Sequence, residues 1–513
     1  MTTPIPTPVT PATRDPRRWA GLAVLSASLL VVVMDMTILN VALPSLAADL
    51  RPTSVELLWI VDAYALVLAG LLVPASALAD RFGRRRALVT GFTLFAVASL
   101  GALVATTPAH VIGVRVLLGI GGALIMPSTL SMIRALFSDP RERATALGVW
   151  GAMAALGGAL GPVVGGVLLE HFSWHAAFLV NVPVMAVAIV AALALLPESR
   201  SARPPRIDLS GVLLSIVGMA GLVFAIKHLA KHGPDLPGGL TAAVAVVALT
   251  LFVRRCLRSP EPMLEVRLFR GHAFSAGVLT ALTTSVAMSA LLLLGAQWLQ
   301  LVEGFSPLQA GLALLPLAVG GLIGSPFAPA VAARIGARTV LAGGLAVAGA
   351  GFLVLGLAPG ELHYPALAVA LLLVGVGMAS LAVASAVIMA GAPTDKAGSA
   401  AAIEESSYEI GAVLGIAVLG SMASAIYRFG LGEGALASYG LDSVSGDVAR
   451  ESLAGALEVA ERVGGAALAA DASAAFTEAL TWTGLAGGVL LLLAAVVVHR
   501  LTPRDLDLAD AAH

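Results

Sequence analysis

Charge is what this chain has least of. Only 12% of its 513 residues are Asp, Glu, Lys or Arg, against about 25% in a typical soluble domain, while 58% are hydrophobic against roughly 45–50%. A soluble globular protein is excluded on that ground. Cysteine is nearly missing as well. The lone Cys256 rules out an internal disulfide, and the nine histidines show no ligand spacing, so neither a redox centre nor a metal site is expected. The sequence holds no Walker loop, dinucleotide fingerprint or catalytic triad. An enzyme is therefore not expected, nor a cofactor, nor a nucleic-acid partner. Any work this chain does must draw on an ion gradient.

What the chain has in abundance is long apolar runs. They fall at 19–43, 57–79, 87–106, 110–132, 144–169, 176–197, 209–230, 238–253, 273–300, 308–332, 339–358, 364–390, 401–427 and 474–499. Crossing a bilayer takes about 20 residues of helix, so the pattern predicts an all-α polytopic membrane protein with fourteen transmembrane helices. Met1–Arg18 is rich in Pro and Thr and lacks a short apolar stretch with a cleavage site, so it reads as an uncleaved tail. Residues 501–513 form a second tail.

An even number of spans puts both termini on one side. Of the 30 Lys and Arg residues, 23 fall in the tails and loops on that side, six on the other, and Arg115 inside the fourth run. The positive-inside rule makes the terminal side cytoplasmic, with the cell membrane as the location. The segment Ala77–Arg86 after the second run repeats at Ala330–Arg338 after the tenth, aligning Arg81 with Arg334 and Gly83 with Gly336. Two six-helix bundles, 19–197 and 273–500, then flank a linker, 198–272, that carries an inserted helix pair. Parallel halves of this kind are a transporter architecture with the site between them near the midplane, and a monomer is the expected functional unit.

Five acids stand inside or at the start of apolar runs: Asp35, Asp62, Glu404, Glu405 and Glu409. A carboxylate at the centre of a membrane helix costs about 2.5–3.5 kcal/mol even on insertion scales, so these point to proton carriage or to neutralising a cationic substrate. The plainer alternative is that they pair with bases to hold helices together, and Arg115 is the one clear intramembrane base. Glu405 and Glu409 are spaced i,i+4 and share a helix face. Tyr64 and Tyr408 adjoin the acids and are candidates to stack on a delocalised cation. Trp59, Trp174, Trp298 and Trp482 fall near the outer boundary, where an interfacial belt is the expected role. The polar loop 429–473 holds an amphipathic run, Glu451–Val463, and reads as either a lid or a tolerated insertion.

The loop Ala77–Arg86 resembles the Asp-Arg-x-Gly-Arg-Arg loop of the major facilitator superfamily, with Ser76 in place of the usual Gly. Gly157-x-x-x-Gly161-Pro162-x-x-Gly165-Gly166 is similar to the antiporter motif of drug exporters in that superfamily. Met34–Pro44 and Trp59–Tyr64 resemble the fourteen-helix drug:proton antiporter branch. The segments Leu118–Ile133, Phe172–Pro183, Met263–Phe269, Gly377–Met389 and Glu404–Glu409 bring the likeness to quaternary-ammonium multidrug pumps of the QacA and SmvA type. The resemblance covers nearly the whole chain.

It implies export of lipophilic cations in exchange for protons, with Asp35, Asp62, Glu404, Glu405 and Glu409 as the functional acids. It makes Arg115 the fourth-span arginine, either a proton-relay switch or a structural salt bridge. Asp80, Arg81, Gly83, Arg84 and Arg85 become a gating loop. Gly157, Gly161, Pro162, Gly165 and Gly166 become a pliable seam between the halves. An acid that some members carry in the tenth span falls here at Gly321, a departure that speaks against dications. The expected partners are small lipophilic cations, protons and the lipid bilayer. Export of an endogenous antibiotic or metabolite differs from this reading in substrate alone. A membrane sensor or scaffold would have no use for the acids.

Overall fold

The computed structural model describes residues 17–504 except 53, 202–207, 358–361, 433–438, 440 and 464. The tail segments 1–16 and 505–513 and the linker residues Arg203 and Arg206 thus lie outside the described residues. Fourteen helices are long and apolar enough to cross a membrane: Arg18–Leu39, Trp59–Phe82, Arg84–Val104, Pro108–Leu136, Glu142–His171, Ala176–Leu195, Leu209–Leu229, Leu236–Arg258, His272–Leu301, Leu308–Ile335, Ala337–Leu357, Tyr364–Ala390, Ala397–Gly430 and Ala466–Leu501. They are called the first to fourteenth spans below. No strand occurs among the described residues.

The internal repeat is visible in backbone and packing alike. Gly83 and Gly336 end the second and tenth spans with φ of +121° and +86°, a region L side chains avoid. In the first half the first span packs on the fifth and sixth, the second on the fourth, and the third on the fourth and sixth. In the second half the ninth packs on the thirteenth and fourteenth, the tenth on the twelfth, and the eleventh on the twelfth and fourteenth. Glycine permits the same close approach at equivalent places. A Cβ on Gly119 would lie 2.8 Å from the Tyr64 carbonyl oxygen, and one on Gly375 would lie 2.1 Å from that of Leu317.

Two large apolar cores form, one around Phe92, Phe95 and Phe178 of the first half that extends to Phe274, Ile388 and Ile403 of the second, the other around Trp298, Phe352 and Leu371 of the second half. The halves meet where the second span packs on the thirteenth and the fifth on the tenth, contacts that a pseudo-twofold axis exchanges. The inserted seventh span lies against the second and touches the thirteenth, and the eighth packs on the seventh.

Two features differ from the sequence reading. Trp59 and Trp482 are exposed, as an interfacial belt requires, but Trp174 and Trp298 are buried. Trp174 Nε1 donates to Asp49 Oδ2 at 2.8 Å and Trp298 Nε1 to Thr477 Oγ1 at 3.0 Å, because a buried indole N–H needs a partner. Three spans are also interrupted, among them the sixth at Val180. The tenth breaks at Leu314, just before Pro316, and the twelfth at Met378. The thirteenth carries a π-helical stretch at Gly415–Gly420.

Candidate transport pathway

Asp35 lies midway along the continuous helix Arg18–Leu50. Its side chain and that of Arg115 are only 1% and 3% exposed, and Arg115 Nη1 donates to Asp35 Oδ2 at 3.1 Å. Arg115 Nε donates to the Ile60 carbonyl at 3.1 Å, and the guanidinium sits 4.5 Å from the Tyr64 ring centroid. Asn181 Nδ2 completes the site, donating to Asp35 Oδ1 at 2.6 Å and to Ser99 Oγ at 3.3 Å. Tyr64 therefore corrects one expectation. It is fully buried and stacks on the protein's own cation, so it does not present its face to a cavity. Asn181 was missed by sequence reasoning, although a lone amide inside the run 176–197 was a signal that could have found it.

A cavity of about 960 Å³ opens between the halves in the portion of the membrane away from the termini. Thr37, Asp62, Pro162, Lys227, Gln297 and Gln300 are among its lining residues, and Glu451, Ser452 and Leu453 of the long loop stand at its rim. That loop forms the helices Ser443–Glu451 and Leu453–Val463, the second burying Leu453, Ala456, Val459 and Ala460 against the second-half core. The positive-residue tally places Lys227 outside the membrane. In the structure Lys227 lies within the helix Leu209–His232 and its ammonium donates to Asp62 Oδ1. Arg115 is thus not the lone base among the spans, and Asp62 is a paired acid.

The three glutamates of the thirteenth span have unequal surroundings. Ser385 and Tyr408 both donate to Glu404 Oε1, the tyrosine hydroxyl at 2.9 Å. Tyr408 thus holds a carboxylate, and it is not among the residues lining the cavity. Glu405 is completely buried, and neither of its carboxylate oxygens has a hydrogen-bond partner among the described residues. Glu409 is buried. Gly321, the tenth-span position, is buried and does not line the cavity.

On the side of the termini the halves are latched together. Asp80 Oδ1 accepts from Arg84 Nη2 at 2.8 Å and Nε at 3.0 Å, and its carboxylate rests on the first turn of the thirteenth span, where a Cβ on Gly398 would fall 2.0 Å from Oδ2. The first turn of a helix favours negative charge. Ser76 Oγ donates to the Gly398 carbonyl at 2.8 Å and Ser201 Oγ to that of Asp395 at 2.9 Å. Arg134 reaches across to the carbonyls of Met389 and Ala392, the second at 2.6 Å, at the C-terminal end of the twelfth span. Arg85 Nη1 donates to the Leu196 carbonyl at 3.0 Å, and Arg86 pairs with Glu198 at 3.7 Å. Arg81 faces outward beside Phe82.

The glycine string of the fifth span divides its faces. Cβ atoms on Gly157, Gly161 and Gly165 would lie 2.6 Å from the Leu30 carbonyl oxygen, 1.9 Å from Thr37 Oγ1 and 2.9 Å from Ile38 Cγ1. That face packs on the first span, inside one half, which corrects the expectation of a seam between halves. The seam proper is the face carrying Pro162, Val163 and Gly166, which meets Leu308 and Gly311 of the other half.

The repeated bundles, the latched terminal side and the cavity between halves define a polytopic transporter. The family model of the Major Facilitator Superfamily matches residues 25–416, and the chain belongs to that superfamily. The multidrug efflux pump LfrA of Mycolicibacterium smegmatis is 40% identical, over 95% of this chain and 97% of its own length. The methyl viologen resistance protein SmvA of Salmonella typhimurium is 38% identical, over 80% of this chain and 83% of its own. The tetracenomycin C resistance and export protein of Streptomyces glaucescens is 33% identical, over 79% and 76%. Among solved structures, the human organic anion transporter MFSD10 superposes with a TM-score of 0.59 at 16% identity, covering 94% of this chain and all of that one. At that identity the likeness shows the fold alone.

Proposed function

We propose that this protein is a proton-coupled antiporter that exports lipophilic cations, including quaternary ammonium antiseptics and dyes, across the cytoplasmic membrane by alternating access, with both termini in the cytoplasm. The observation that carries the reading is Glu405, a completely buried carboxyl group whose two oxygens find no partner among the described residues. An ionised carboxylate without a partner is too costly to keep in apolar surroundings, so the group calls for a proton or a cation. Asp62 on the cavity wall and the neighbouring Glu404 and Glu409 extend a path of acids. The closed terminal side and the cavity on the opposite side correspond to an outward-facing state of the cycle, in which substrate leaves and protons enter.

Proton exchange also satisfies the electrical arithmetic. Moving one charge against the membrane potential costs about 2.3 kcal/mol per 100 mV, so each exported positive charge needs an entering one to cancel it. The deciding experiment is ethidium transport in energised inverted vesicles with and without a protonophore. Uptake that collapses with the gradient supports antiport; no gradient-dependent transport across a panel of cations and neutral drugs refutes it. A second reading, export of an endogenous antibiotic, is favoured by the tetracenomycin C export protein among the relatives. Transport of neutral aromatic antibiotics in preference to cations in the same vesicles would select it.

A further inference from the structure

Lys227 is an unusual feature for a cavity that handles cations. It comes from the inserted seventh span, outside the two repeated bundles, and that helix is fixed closely to the second span. Val223 packs in one cluster with Leu66, Ala69 and Val413, Phe224 stacks with Trp59 at 6.4 Å between centroids, and a Cβ on Gly70 would lie 3.5 Å from that of Ala220. The backbone of Lys227 is therefore anchored, while its four-carbon stem leaves the ammonium free to move. Both Lys227 and Asp62 line the cavity and are paired there, with side-chain exposures of 27% and 11%.

From this geometry, and resting on the reading of the cavity as a cation-export site, we infer that Lys227 is a tethered counter-cation that holds Asp62 until a cationic substrate displaces it, and so sets the charge selectivity of the cavity. The Asp62–Lys227 pair carries no net charge and by itself offers an incoming cation little attraction. A substrate that takes Asp62 must push the ammonium aside. Without Lys227 the cavity lining, which also holds Glu451, is more negative by one charge. Coulombic attraction is proportional to the charge of the ligand, so the gain in log affinity on removing Lys227 is twice as large for a dication as for a monocation. Lys227 thus disfavours dications.

The test is equilibrium binding of ethidium, a monocation, and propidium, a dication on the same ring system, to the purified full chain. For Lys227→Gln we expect affinity to rise on the order of tenfold for ethidium and on the order of a hundredfold for propidium. Lys227→Arg should stay near wild type, and adding Asp62→Asn to Lys227→Gln should erase the gain. Should Lys227→Gln fail to accumulate, Lys227→Met, which keeps the packing of the stem, gives the same comparison. If wild type binds the dyes but the neutral variants leave both affinities unchanged, or shift them equally, the role of Lys227 is overturned and the export reading stands. If wild type binds neither dye, cation export and this inference fall together.

Discussion

Asn181 and Asp35 are 146 positions apart in sequence, yet the amide donates to the carboxylate at 2.6 Å on the side opposite the Arg115 guanidinium. The acid is thus held between an amide and a base, and the consequences of replacing it follow from both.

Asp35→Asn removes the charge at nearly constant volume and leaves Arg115 buried without its carboxylate. Removing one partner of a buried pair typically costs about 3–5 kcal/mol. We expect loss of coupled efflux together with a clear drop in thermal stability. Asp35→Asn combined with Arg115→Met should recover much of the stability and none of the transport. Wild-type efflux by Asp35→Asn at normal expression would remove Asp35 from the pathway.

Glu405→Gln should behave differently. No hydrogen bond is lost, so stability should change by no more than about 1–2 kcal/mol, while gradient-driven efflux disappears. The comparison is with Glu404→Gln, which also disturbs the bonds from Ser385 and Tyr408 and should cost more stability. Equal destabilisation by the two would mean that Glu405 has partners of its own.

The latch on the terminal side can be opened from either helix. Asp80→Asn weakens the ion pair with Arg84, and Gly398→Ala drives a methyl group into Asp80 Oδ2. Both should slow turnover with little change in equilibrium dye binding, and both should raise the labelling rate of a cysteine introduced by Ala392→Cys, at a buried latch position that contributes only its backbone carbonyl, in a chain with Cys256 replaced by Ser. Gly83→Val is a poorer probe, because φ of +121° and the Glu198 carboxylate 2.5 Å from a Cβ would strain the fold itself. Unchanged labelling in both variants would show that the latch does not control access.

Gly161→Ala tests the glycine face. The added Cβ meets Thr37 Oγ1 at 1.9 Å and the Met34 carbonyl oxygen at 3.0 Å, so the first and fifth spans must separate. We expect destabilisation of about 1–3 kcal/mol, the range for overpacking, partly relieved by Thr37→Ala. If Leu308→Ala on the tenth span relieves it instead, the face belongs to the seam between halves.

The sequence by itself determined the class of this protein, the fourteen spans, the repeat and the identity of the acids. Hydrophobic length, a glycine turn and intramembrane charge are local properties, each legible within some 20 residues. What it did not determine is which groups neutralise which. Asp35 meets Arg115 and Asn181, Asp62 meets Lys227, Glu404 meets Ser385 and Tyr408, while the carboxylate oxygens of Glu405 have no hydrogen-bond partner among the described residues. Those partners come from different helices, and their meeting depends on how each helix is rotated about its axis and how far it slides along its neighbour. Lys227 shows the limit plainly: a residue near the end of an apolar run can be counted in the loop or in the helix, and only the packing of the seventh span on the second decides that its ammonium points into the membrane. The face assignment of the fifth-span glycines was hidden for the same reason, since small residues mark a close approach without naming the helix that makes it.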